Sequence, residues 1–580
     1  MSISSLLSLF SMCAFCTYRA FSFMVIKRFI FNGKSRILRY CNALPEGFTR
    51  REDVLKKSPS PPKQPIPVTD VSHLKELIHE GYRVRDLDVR GDTTFDSDQL
   101  HPVVKALHNR IRDGSIPGNR TDGHRIAISI EGGGMRGCVG AGMISAVKYL
   151  GLEDAVDVVY GSSAGSLVGA YFVTGQLPYV GPEVYYDVLT TAGKEFIDVQ
   201  ALLRSCGLGI FDLRLKSLVD LFQDRLGKPV LNLNYLFDTI VQRIKPLDFP
   251  ILWEKHMTSK LELKVVASGL LSRKAVVLSA KNGNFQDLQE LAECMKASML
   301  LPGLTGDVIR LKGRQAAGDN IERTWWREYN GRSNSSMLPG SEPLSDALLF
   351  EPIPYRCAIA NNSEGRCTHV LALRTRPDNC SVTLKMGIME KLILYRFFGR
   401  KQGLPELVHW MHNQYHKLVY AEDILRLNAA NRDFTDSPII HSEDGNVLNP
   451  KLFCVALPYG TPEVSRLETS RANIFQAVRS GFAAAYDSLT QDPKMKGQGM
   501  RIAMEVWPES ILSQPPVHLK KVVDEQVVAL PPADKIEKAL QEAEAVRLMP
   551  MSKRQELLAS LQRLQTIIIE FVETKRPFKQ

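Results

Sequence analysis

The chain has 580 residues, 44% of them hydrophobic, which is enough apolar material for a large globular core. Its ten cysteines are scattered too thinly for a disulfide framework, and most are expected to be reduced and buried. Of the net charge of +10, the first 50 residues supply +6, so the rest is only mildly basic and no nucleic-acid partner is expected.

Residues 1 to 50 hold seven Lys or Arg against a single acid, Glu46. Leu6 to Ile30 is largely apolar but interrupted by Arg19, Lys27 and Arg28. This basic, acid-poor pattern predicts a leader over 1–45 that targets an organelle (mitochondrion or plastid) or associates with a membrane. Arg19 argues against a simple transmembrane span. Cys13 and Cys16 form a Cys-x-x-Cys without a partner pair, so no zinc site is expected there. Residues 57–68 are proline-rich and read as a linker. Val71 to Arg112 reads as a small helical approach, giving a linker-and-approach region over 46–123.

Two glycine motifs follow. The apolar run Ile126–Ile130 reads as a buried strand and leads into Glu131-Gly132-Gly133-Gly134-Met135-Arg136-Gly137. Asp157–Tyr160 reads as a second strand and leads into Gly161-Ser162-Ser163-Ala164-Gly165. After each motif the pattern turns helical, over Gly140–Leu150 and Ala164–Val173. Gly-x-Ser-x-Gly at a strand-to-helix turn is a nucleophile elbow, with Ser163 at its centre and Gly161 and Gly165 leaving room for the turn. The first motif offers bare backbone N–H groups at a helix N-terminus, suited to a developing oxyanion. The same glycines also fit Gly-x-Gly-x-x-Gly, a dinucleotide fingerprint. That reading needs an acid after the second strand, whereas Glu153 and Asp154 precede it.

The pair of motifs resembles the patatin-like phospholipases and acyl hydrolases. The resemblance implies an oxyanion hole from Gly132, Gly133, Gly134, Arg136 and Gly137, with Arg136 ordering the loop. It also implies a Ser-Asp dyad in place of a triad, needing neither cofactor nor metal. The family's Asp lies in an Asp-Gly-Gly/Ala motif before a proline-containing segment. Asp346-Ala347 with Pro352 and Pro354 is the best match, although Ala347 stands where glycine is usual. Asp319, in Gly318-Asp319-Asn320, is a rival inside a polar stretch that reads as an insertion loop. A histidine-completed triad would draw on His369, expected to open a core strand that with its exit runs to Pro377, or on His409, His412 and His416. The last three would share one face of a continuous helix. That spacing also suits zinc, but a polar helix face is the expected reading.

Further on, a helical segment is expected over Leu384–Leu427, a strand over Phe453–Pro458 and a helix over Ile474–Leu489. The catalytic domain is expected to span 124–490. A helical extension over 491–580 carries an amphipathic stretch from Ala533 to Glu573. The alternating pattern predicts a three-layer α/β sandwich with a mainly parallel central sheet and the site at the carboxyl ends of the strands. The expected activity is hydrolysis of fatty acyl esters of phospholipids, galactolipids or acylglycerols at a membrane or lipid-droplet surface. The alternatives are an acyltransferase on the same dyad, a dinucleotide-binding oxidoreductase and a catalytically inactive lipid-binding scaffold.

Overall fold

The computed structural model describes residues 59–516 apart from 92–99, 199–229, 303, 307, 314–324, 329–342, 361–365, 379–381, 383–390, 392–393, 433–439 and 442–446. The expected leader, Asp319 and the amphipathic stretch at 533–573 therefore lie outside the described residues.

The approach region is more than helical. Strand β1 (Ile66–Val68), helix α1 (Val71–His79) and strand β2 (Leu87–Val89) form a small βαβ unit with parallel strands, and helix α2 (Pro102–Arg112) follows. The Asp70 carboxylate caps α1 by accepting the His73 N–H, as expected of an aspartate at a helix start.

The central sheet begins with β3 (Ile126–Ile130). Helix α3 (Gly137–Tyr149), strand β4 (Val158–Ser162) and helix α4 (Ala164–Val173) come next. Strands β5 (Glu262–Gly269) and β6 (Lys274–Ser279) form a hairpin, followed by helix α5 (Leu288–Met299). Short strands β7 (Ile309–Gly313), β8 (Trp325–Glu328) and β9 (Pro343–Ser345) precede the core strand β10 (His369–Leu373). Helix α6 (Tyr415–Arg432), strand β11 (Lys451–Val455), helix α7 (Arg471–Leu489) and helix α8 (Gly499–Val506) complete the order.

Five strands run parallel in the order β11-β10-β3-β4-β5. Strands β6, β9, β7 and β8 extend the sheet antiparallel beyond them. The parallel strands are apolar along nearly their whole length because both faces are covered. Ile126, Ile128 and Ile130 point into a core shared with α2, α3, α4, α5 and α7. Ala127, Val158, Tyr160, Val370 and Ala372 point the other way, toward α1 and α6. The result is the three-layer α/β arrangement that the sequence pattern predicts.

Helices α3 and α7 lie unusually close. A Cβ on Gly142 would sit 2.0 Å from the Val478 carbonyl oxygen, and one on Gly481 would sit 2.2 Å from that of Val139. The compact unit also continues past residue 490, through Gln514. The reason is packing: Trp507, after α8, is fully buried, edge-on to Phe482 of α7 with ring centroids 5.4 Å apart. The Arg479 guanidinium donates to the Trp507 carbonyl. The five described cysteines are free and buried. Among the described residues, no helix is long and apolar enough to cross a membrane.

Because the α3–α7 contact leaves no space for a side chain, Gly481→Val is expected to cost about 3 kcal/mol or more through overpacking. Urea unfolding should show a lower midpoint with an unchanged slope.

Candidate active site

Ser163 sits between β4 and α4 with φ 51° and ψ −124°, an unusual backbone conformation for a residue with a Cβ. Such a residue costs on the order of 1–3 kcal/mol and persists only when its surroundings fix it. Here they do. A Cβ on Gly161 would lie 2.4 Å from Ser166 Cα, and one on Gly165 would lie 2.3 Å from the Ile130 carbonyl oxygen. The Ser163 carbonyl accepts from both the Ser166 N–H at 2.9 Å and the Ser166 hydroxyl at 2.6 Å. Ser162 is turned away and donates to the Glu351 carbonyl at 2.7 Å.

The strand registers bring the serine to Asp346. Along β5, Ser268 pairs with Ala275 of β6 and with Ser345 of β9, which must lie on opposite sides. Strand β9 therefore shares the β4 edge of β5. Strand β4 runs up that edge to Ser162, opposite Val266, and β9 runs down it to Ser345, opposite Ser268. Ser163 and Asp346, each one residue farther, meet at the level of Ala267. The Ser163 hydroxyl donates to Asp346 Oδ2 at 3.0 Å. Burial pushes the Asp346 carboxyl above its ordinary value; the Leu348 N–H, the Ser163 hydroxyl and the charge of Arg466 oppose that shift only in part.

A third residue, missed at the sequence level, fixes both partners. Ser298, near the end of α5, accepts the Ser163 N–H at 2.6 Å, and its own hydroxyl donates to the Val266 carbonyl. Two residues on, the Leu300 carbonyl accepts the Asp346 N–H at 2.7 Å and the Ser345 hydroxyl at 2.6 Å. Nothing in the sequence around Ser298 marks it, because its importance comes from a tertiary contact.

The structure divides the expected oxyanion-hole residues. Gly132 donates its N–H to the Pro352 carbonyl at 3.3 Å, so it is not a spare donor. Its lack of a side chain is still required, since a Cβ would come within 2.8 Å of Ser163 Cβ. The Gly133 and Gly134 N–H groups have no acceptor among the described residues, and Gly134 has φ 61°. Gly137 continues the helical hydrogen bonding, and a Cβ on it would strike Tyr185 and Ala164. Arg136 is buried and paired with Glu463, which Arg376 also binds at 3.0 Å. Glu131 anchors the loop: its carboxylate accepts from Thr375 and from the Tyr420 hydroxyl.

The histidines fall elsewhere than the triad alternative needs. His369 opens β10 opposite Ile126 and Lys451, at the amino ends of the parallel strands, whereas Ser163 follows their carboxyl ends. The helix expected through His409, His412 and His416 is broken: one segment ends at His412, Gln414 has φ 63°, and α6 starts at Tyr415. The three therefore do not share a continuous face. No group of metal-ligating side chains occurs among the described residues. The dinucleotide reading fares no better, because Glu153 and Asp154 form a turn before β4 and the strand ends at serine. A shallow depression lined by Leu252, His256, Glu262 and Phe285 lies at the amino end of β5, away from Ser163.

Residues 128–326 match the family described as patatin-like phospholipase. The chain carries a patatin-like phospholipase domain. It is a serine-based lipid ester hydrolase. The match includes both glycine motifs and ends before Asp346, so the place of Asp346 beside the serine rests on the strand registers. No curated protein matches the chain. Among solved structures it is similar to VipD from Legionella pneumophila, at 13% identity over 63% of this chain and 67% of that one, TM-score 0.28. It is also similar to human GIVD cytosolic phospholipase A2, at 14% identity over 70% and 62%, TM-score 0.29. The type III effector ExoU matches at 13% identity over 79% and 67%, TM-score 0.20. The chain thus spans about two thirds of the length of these structures, and similarity at this level adds nothing to the fold seen in the sheet order.

Ser298→Ala tests the anchoring of the patatin-like elbow. It leaves the buried Ser163 N–H without an acceptor, which costs about 1–3 kcal/mol. The expected outcome is a lower melting temperature together with a fall in kcat of about tenfold, measured on a short-chain ester.

Proposed function

We propose that the protein hydrolyses fatty acyl esters of glycerolipids through an acyl-Ser163 intermediate, with Asp346 as the only proton-transfer partner. The observation that carries this reading is the 3.0 Å hydrogen bond from the hydroxyl of Ser163, on its strained elbow, to the half-buried Asp346 carboxylate. An unassisted serine hydroxyl is a weak nucleophile, and a carboxylate whose affinity for protons is raised by burial is a better base.

In the forward step Asp346 takes the hydroxyl proton as Ser163 Oγ bonds to the ester carbonyl carbon. The negative charge then moves to the carbonyl oxygen, where the Gly133 and Gly134 N–H groups stabilise it; losing one such donor typically costs roughly 3 kcal/mol. The C–O bond to the alcohol breaks as Asp346 returns the proton to the leaving oxygen. Water repeats the sequence on the acyl-serine, which releases the fatty acid and restores the Ser163 hydroxyl. An alcohol in place of that water would make the same site an acyltransferase.

The substrate presents itself at a lipid surface in this reading, and residues 1–45 deliver the enzyme to an organelle or membrane. Residues 1–50 fused to a fluorescent reporter should carry it there; a diffuse cytosolic signal would refute the targeting role.

Ser163→Ala and Asp346→Asn should each abolish ester turnover, and nearly to the same extent, because the two groups act as a unit. Asp319→Asn should change little. The acid limb of kcat/KM should lie above the ordinary carboxylate range, since Asp346 works only when deprotonated. Stability should respond in the opposite sense. The folded state keeps the Asp346 proton to higher pH than the unfolded chain does, so stability is lost as pH rises through that window. Asp346→Asn should therefore melt no lower than the wild type at pH 7. Retained turnover in either dyad variant sinks the mechanism.

A further inference from the structure

Three arginines surround the glycine loop, and they are not equivalent. Arg136 and Arg376 share the carboxylate of Glu463. Arg466 has no carboxylate within ion-pair distance and no side-chain hydrogen bond among the described residues. Its backbone is fixed: the Arg466 carbonyl accepts the Met135 N–H at 3.0 Å. That carbonyl lies 2.8 Å, and Arg466 Cβ 3.7 Å, from where a Cβ on Gly134 would stand. Arg466 thus packs against Gly134, one of the two glycines whose N–H groups have no acceptor among the described residues. Arg466 is partly open to solvent while protein crowds its guanidinium, and Asp346, Glu131, Arg136 and Arg376 all act on its charge.

We propose that Arg466 is a specificity-determining residue that docks the phosphodiester of a phospholipid beside the ester attacked by Ser163. The proposal rests on the acyl-Ser163 reading above. A guanidinium binds phosphate oxygens through two parallel N–H donors, and an arginine already committed to a carboxylate is less free to do so. Of the three, Arg466 is the one without a carboxylate partner among the described residues. Poor solvation within the site and repulsion by Arg136 and Arg376 hold its pKa down to about 10, so it remains a cation at neutral pH. An anion at this position relieves that repulsion. The phosphodiester and the acyl esters of a phospholipid are carried on one glycerol unit. Holding the first near Gly134 therefore presents the second to the loop and the serine.

The test compares the full-length protein with Arg466→Gln and Arg466→Lys. The substrates are dioleoyl phosphatidylglycerol and dioleoylglycerol, each in the same nonionic-detergent micelle. The expected result is a wild-type preference for the phospholipid that falls about tenfold to a hundredfold in Arg466→Gln, chiefly through KM. Arg466→Lys should lie between the two, because it keeps the charge and loses the fork. Added salt should raise the phospholipid KM of the wild type more than that of Arg466→Gln. An unchanged preference, or equal losses on both lipids, overturns the proposal. So does a variant whose only change is weaker inhibition by oleate, which would assign the arginine to the departing fatty acid. Failure of the acyl-Ser163 reading is seen separately, as full turnover by Ser163→Ala.

Discussion

The three residues at the end of one helix, Ser298 to Leu300, hold the site together. Ser298 takes the backbone N–H of the strained serine, and the Leu300 carbonyl takes the backbone N–H of Asp346. Neither bond involves the hydroxyl or the carboxylate themselves, so those groups are left to each other. The constraint is demanding because the partners lie 183 positions apart and reach one another only where two strands end head to head on one edge of β5. A shift of either strand by one residue would turn its side chain to the opposite face of the sheet. The serine backbone conformation, its hydrogen-bonded carbonyl and the close glycines around it all serve to hold this register.

Electrostatics follow from the same placement. Asp346 is half-buried, with its Oδ1 accepting the Leu348 N–H and its Oδ2 accepting the Ser163 hydroxyl. Two neutral donors do not offset the loss of water around a carboxylate, so its proton affinity rises. Behind the turn that carries it, Glu351 accepts the Arg356 and Cys357 N–H groups, while Asp423 is bound by Arg356 and by the Tyr355 hydroxyl. Burial raises the proton affinity of both carboxyl groups as well. The segment after Asp346 is thus pinned to α6 by a buried polar network. Such networks fix a conformation more surely than they add stability.

Much of this was legible in the sequence, and for identifiable reasons. Strands β3, β4 and β10 are apolar runs because both of their faces are covered, so all three were readable; β3 keeps its expected bounds, whereas β4 extends to Ser162 and β10 ends at Leu373. The glycines of the two motifs were readable because each close approach forbids a side chain there, as Gly132 shows against Ser163. Other features had no local mark. Ser298 is one small polar residue in an otherwise ordinary helix. The break between His412 and Tyr415 carries no proline or glycine; Gln414 itself takes φ 63°, so the histidine spacing looked continuous. His369 was placed on the correct strand, but which end faces the site depends on strand direction, which the alternation of side chains does not encode. The pattern change at residue 490 hid the fact that Trp507 returns to the core.

The glycine loop also shows why counting motif residues overstates the number of groups free to stabilise an oxyanion. Of the backbone N–H groups from Gly132 to Met135, the first is taken by Pro352 and the last by Arg466. Those two bonds are what hold the middle pair, Gly133 and Gly134, in place without an internal acceptor. A fully flexible glycine run would lose entropy each time it organised around a charge, whereas a loop tied at both ends has already lost it on folding. Glu131 strengthens the first tie by binding Thr375 and Tyr420, and Arg136 strengthens the second by reaching Glu463 in the segment that carries Arg466. The residues around the loop therefore set its shape, and the two N–H groups between the ties remain for chemistry.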